Sequence, residues 1–154
     1  MRCTERRAVG ALALALASGT LLLFGGCASP VPPVPAVAAA LPPAAAARSW
    51  SEFKVAAARR MVAASPGLTY AGRPPEPLLG IPVIEIELDA QGRVRATHVL
   101  REPAEAKQVT AIALAAIRRA APYGDMSHLP RPWKFVEVFL FDDAEHFKPA
   151  TLDR

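Results

Sequence analysis

Three histidines, His98, His128 and His146, are the side chains of this 154-residue sequence best suited to moving protons or ligating metal near neutral pH. Their spacings fit neither an HExxH helix nor a Cys/His zinc pattern. Asp125 and His128 would supply two ligands from one polar segment, where a turn histidine is the better reading. Glu85 and Glu87 stand two residues apart, so on a strand they share a face about 7 Å apart and resemble an acid–base pair. Nothing in the sequence adds a third group to them. A solvated face, paired with Arg93 or Arg95 across a hairpin, is the favoured reading. Ser65 and Ser127-His128 have no neighbours that activate a nucleophile. Gly25-Gly26 lies in an apolar leader and not in a phosphate-binding loop. The sequence points away from an enzyme, with no catalytic, cofactor-binding or metal site expected.

Cys3 and Cys27 are the only thiols. Arg2, Arg6 and Arg7 precede an apolar run from Ala8 to Phe24, the layout of a secretory signal peptide and short for a membrane span. Leu23-Phe24-Gly25-Gly26-Cys27 resembles a bacterial lipobox, in which the cysteine becomes the lipid-modified first residue. Residues 1–26 are then a lipoprotein signal peptide and Cys27 the lipidation site, which leaves the mature domain without a thiol. Ala28 follows the cysteine where an aspartate would favour the inner membrane. The resemblance thus implies the outer membrane of a Gram-negative bacterium, with the domain facing the periplasm. An uncleaved anchor and a plain signal peptide cut near Ala28 are the alternatives. Without residues 1–26 the chain loses three of its 18 basic residues and one of its 14 acidic ones, and +4 becomes +2. So small an excess does not steer a protein to nucleic acid.

The elements that position these groups begin after a tether. Residues 27–47 hold Pro30, Pro32, Pro33, Pro35, Pro42 and Pro43 among alanines and valines. This composition favours extended polyproline II, with a reach of at most roughly 60 Å at about 3.1 Å per residue. Residues 48–154 are expected to fold. Ser49 and Glu52 fit a capping box, and Trp50, Phe53, Ala57, Met61 and Ala64 follow along one helical face. That helix ends near Ser65-Pro66-Gly67, with Arg59 and Arg60 as a solvated flank. A proline-punctuated loop, Leu68 to Gly80, leads onward.

Ile84, Ile86 and Leu88 alternate with Glu85 and Glu87, the period of a strand buried on one face. Asp89-Ala90-Gln91-Gly92 is a turn, and Arg93-Val94-Arg95-Ala96 resumes the alternation, which makes a β-hairpin. The phase drifts afterwards, so a bulge near Thr97-His98 or an early end is expected. Pro103 suits the first turn of a helix running to about Ala121. Its apolar stripe is Val109, Ile112, Ala113, Ala116, Ile117 and Ala120. Trp133 to Phe141 reads as a third strand with Val136, Val138 and Leu140 on one face and Trp133, Phe135, Phe139 and Phe141 on the other. The polar tail after Asp142-Asp143 is expected to be loosely held.

The fold class is α+β: one helix, then a β-β-α-β core whose three-stranded antiparallel sheet has the order 2-1-3 and helices on one face. The segments IEIELDAQGRVRATHVL, AIALAAIRRA and WKFVEVFLF together resemble the C-terminal domain of TonB-type energy transducers over about residues 80 to 142. The resemblance implies protein contacts made by strand addition at a sheet edge. A lipobox in place of an uncleaved inner-membrane helix leaves no route to a motor. The expected partners are the membrane, through Cys27, and an envelope protein. The strand offered to that protein is the third, with Trp133, Phe135, Glu137, Phe139 and Phe141. A homodimer through the same edge, as a structural lipoprotein, is the alternative.

Overall fold

The structure, a computed structural model, describes Leu41 and residues 47–153. The signal segment, Cys27 and most of the proline-rich linker lie outside the described residues. Among those described, no helix is long and apolar enough to cross a membrane.

Helix α1 (Trp50–Ala63) starts at Ser49, whose Oγ accepts from the Glu52 N–H at 3.2 Å. The Glu52 carboxylate reaches back one residue further than a capping box requires and accepts from the Arg48 N–H at 2.7 Å. Phe53, Ala57, Ala58 and Met61 form its buried face. Trp50 is half-buried and donates its indole N–H to the Pro130 carbonyl at 3.2 Å.

Strands β1 (Val83–Leu88) and β2 (Val94–Arg101) form the hairpin. Asp89 organises the turn: its Oδ1 accepts from the N–H groups of Gln91 and Arg93, both at 2.9 Å. The other oxygen pairs with Arg93 Nε at 2.7 Å, so Arg93 closes the turn and does not face Glu85 or Glu87. β2 continues to Arg101. Two register shifts leave Arg95 and Leu100 unmatched, on either side of a regular stretch from Ala96 to Val99. These shifts account for the phase drift. They set both Val94 and Val99 opposite core residues, Leu88 and Ile84.

Helix α2 (Gln108–Ala120) begins five residues beyond Pro103. Pro103 instead lies against Gly80, where an added Cβ would sit 3.0 Å from the proline ring. Packing overrides its preference for a first helical turn, and the buried Ala106 precedes the helix. Val109, Ala113, Ala116, Ile117 and Ala120 are buried as the stripe demands. Two arginines tie the helix ends together. Arg60 Nε donates to the Ala120 carbonyl at 2.6 Å, and Arg119 donates to Ser65 Oγ at 3.2 Å. Arg60 is thus a C-terminal cap for α2 and no solvated flank.

Strand β3 (Lys134–Phe141) pairs antiparallel with β1, as expected. The expected three-stranded sheet is corrected to four strands, because the tail folds back as β4 (Phe147–Pro149) and a short 3-10 turn, Ala150–Leu152. The order is β2-β1-β3-β4. Asp142 builds the return: its Oδ1 accepts from the N–H groups of Ala144 and His146, and Glu145 takes the left-handed conformation at φ 61°. Phe147 drives it. Its ring is fully buried, with centroids 5.5 Å from Phe139 and 5.8 Å from Phe141.

One side of the sheet packs on the helices through Ile84, Ile86, Leu88, Phe135, Phe139, Phe141 and Phe147. Leu41 and Ala47 also pack on this core. The hairpin turn is fastened to the segment after α2, since the Gly92 carbonyl accepts from the Tyr123 N–H at 2.8 Å. Gly92 has φ +72°, and a Cβ there would strike the Gly124 carbonyl oxygen and lie 2.6 Å from the Gly124 nitrogen. Gly92→Ala is therefore expected to cost about 2–3 kcal/mol, read as a lowered midpoint in urea unfolding.

Candidate functional site

The third-strand side chains do not present themselves to a partner. Phe135, Glu137, Phe139 and Phe141 are all buried and face the helices. Trp133 is half-buried, donates its indole N–H to the Leu129 carbonyl at 3.0 Å, and carries the Arg131 guanidinium 4.1 Å from its ring centre. The last three residues of the backbone edge beyond β3 are occupied as well. Phe139, Leu140 and Phe141 pair with Pro149, Lys148 and Phe147 of β4. Beyond β4, Thr69 bridges to Phe147 in parallel, with the Phe147 N–H donating to the Leu68 carbonyl at 2.9 Å. This end of the sheet is covered along residues 139–141.

The opposite end is open. Among the described residues β2 pairs with β1 and with nothing on its far side. Val99 is 43% and Leu100 56% exposed, the most exposed large apolar residues in the described chain. Edge strands with free N–H and C=O groups accept an added strand, and bulges and charges restrict which strand fits. Both restraints are present, in the unmatched Arg95 and Leu100 and in the exposed Arg93, Arg95 and Arg101.

A second cluster lies on the sheet face that the helices leave uncovered. Glu85 sits opposite His98 on β2 and Val136 on β3, and Glu87 opposite Ala96 and Lys134. Lys134 Nζ lies 3.1 Å from Glu85 Oε2, and His98 Nε2 lies 3.5 Å from Glu87 Oε1. One carboxylate oxygen from each glutamate and one ring nitrogen all come within 4.8 Å of one another. Linear spacing could not reveal this meeting, which depends on the register of a bulged hairpin. The other histidines are placed apart. His128 Nε2 lies 2.6 Å from the Ala47 carbonyl, and His146 Nδ1 lies 3.3 Å from Asp142. Asp125 does not join His128: it accepts from the Ser127 N–H and hydroxyl, which hold its carboxyl below the usual range.

The chain matches no family model, and no curated protein or solved structure matches it either. Its chemistry has to be read from its own side chains.

Glu137 is the least expected of these. Period-2 alternation places it on the same face as Phe135 and Phe139, and it is 1% exposed. Its Oε1 accepts from the N–H groups of Val138 and Thr151, both at 3.2 Å. β4 ends at Pro149, so the carboxylate takes over where the strand ladder stops and fixes the 3-10 turn. Oε2 has no hydrogen-bond partner. Burial pushes the Glu137 carboxyl up, against the two N–H bonds and the distant Lys54 charge, which pull it down. A carboxyl raised in the folded state binds its proton more tightly there than in the unfolded chain. The cost of its buried charge is fully present above the folded-state value and vanishes as pH falls through that value toward about 4.3. Unfolding free energy measured against Glu137→Gln should therefore shift in favour of the parent as pH is lowered from 8 to 5. Glu137→Ala, which frees two N–H groups, should lose roughly 2–4 kcal/mol, with the loss growing as pH falls.

Proposed function

We propose that this chain is a lipid-anchored, periplasm-facing module that binds another envelope protein by taking a strand of that protein onto β2. One observation carries the reading: among the described residues β2 is unpaired along its whole outer edge, where Val99 and Leu100 stand exposed, whereas β4 covers the end of β3. The order of helix, hairpin, helix and strand supports it through the resemblance to TonB-type C-terminal domains, where strand addition is the mode of contact. The edge moves from the third strand to the second, because β4 occupies the position beyond β3. A fitting partner strand is short, matching the regular stretch from Ala96 to Val99, and apolar opposite Val99 and Leu100. Acidic residues at its ends would answer Arg95 and Arg101. Cys27 supplies the anchor and the proline-rich segment the reach.

The test is site-specific photocrosslinking in cells, with the reactive residue at Leu100 or, as a control, at exposed Asp143. A discrete adduct with a second protein is expected from position 100 and none from 143, and Val99→Asp should abolish it. An adduct of twice the chain mass would mean self-pairing and make the structural homodimer the function. No adduct from position 100 removes the reading. Separately, Cys27→Ser is expected to end incorporation of labelled palmitate, measured by metabolic labelling.

A further inference from the structure

We infer that Glu85, Glu87 and His98 bind a divalent transition cation on the uncovered face of the sheet. The donors come from two paired strands, with Glu85 and Glu87 alternating on β1 and His98 directly across from Glu85 on β2. Backbone pairing fixes the starting points of all three side chains, so only rotamers need adjust. The donor atoms lie within 4.8 Å of one another, wider than bonds of about 2.0–2.2 Å to a single ion allow, so binding draws them together by about an ångström through rotamer changes.

The charges leave room for such an ion. Two carboxylates side by side on one strand face repel each other. Lys134 answers Glu85 at 3.1 Å, but among the described residues Glu87 pairs with His98 alone, which is a cation only when protonated. With a neutral ring the cluster offers a nitrogen lone pair beside an uncompensated carboxylate. A divalent cation meets both needs. The side chains of Glu87 and His98 are 42% and 55% exposed, which leaves space for water to complete the coordination shell. One imidazole with two carboxylates suits Zn²⁺, Ni²⁺ or Cu²⁺, whereas Mg²⁺ and Ca²⁺ favour oxygen alone. The Lys134 ammonium is the built-in competitor. His98 lies within the stretch of β2 offered to a partner strand, but titration of the chain alone reads the metal site without any partner, so either proposal can fail by itself.

Isothermal titration of chelator-treated full chain with Zn²⁺ tests the assignment. One saturable site is expected, undisturbed by excess Mg²⁺. His98→Ala should weaken it by about tenfold or more. The same variant should melt like the parent, since the ring is exposed. Lys134→Met, which removes the competing ammonium, should tighten binding. No saturable uptake by the parent overturns the assignment, and so does uptake unchanged in His98→Ala.

Discussion

Phe135, Glu137, Phe139 and Phe141 must all leave water together, and most of the structure follows from that requirement. Each buried phenylalanine contributes roughly 2 kcal/mol, and the row needs a lid as long as the strand. Helix α1 covers one end through Phe53, whose ring meets Phe135 edge-on at 5.3 Å. Alanines on both helices let the helices approach each other and the sheet closely. Phe147 covers the other end, and it can do so only if the chain after β3 turns back. The carboxylate in the middle of the row adds a second demand. It needs N–H donors inside the protein, and the 3-10 turn after β4 provides one of them.

The two faces of the sheet therefore serve opposite ends. The inner face trades water for aromatic packing, with Tyr123 donating its hydroxyl to the Ile117 carbonyl at 2.9 Å under burial that pushes the phenol well above its ordinary range. The outer face keeps Glu85, Glu87, His98 and Lys134 in reach of solvent and of one another. Fold stability rests on the first face, which leaves the second free to vary in charge and chemistry.

Much of the architecture was legible in the residues. The Ile84-Ile86-Leu88 alternation, the Asp89 turn and the alanine stripe of α2 each encode their element locally. Three features were not. Pro103 carries a real helix-start preference, but contact with Gly80 outweighs it, and such contacts have no local signature. β4 is three residues long, too short for a period to register, and Phe147 among polar neighbours was its only trace. Glu137 was visible in the alternation as an acid on an aromatic face, yet one of its two N–H partners, Thr151, lies in the turn that could not be foreseen. The candidate sites shared this fate. The burial of the third-strand row and the meeting of Glu85, Glu87 and His98 both depend on which strands are neighbours.

The covered end of the sheet has a consequence for assembly. A sheet with two free edges can pass strands from copy to copy without limit, which is how fibres grow. Here β4 and the Thr69 bridge cover one of those edges along residues 139–141. A strand paired at β2 therefore finds no matching full-length free strand at the other end of the sheet from which pairing would continue, whether the guest is a foreign strand or a second copy. At high local density, that favours a domain that stops a chain of copies over one that links it.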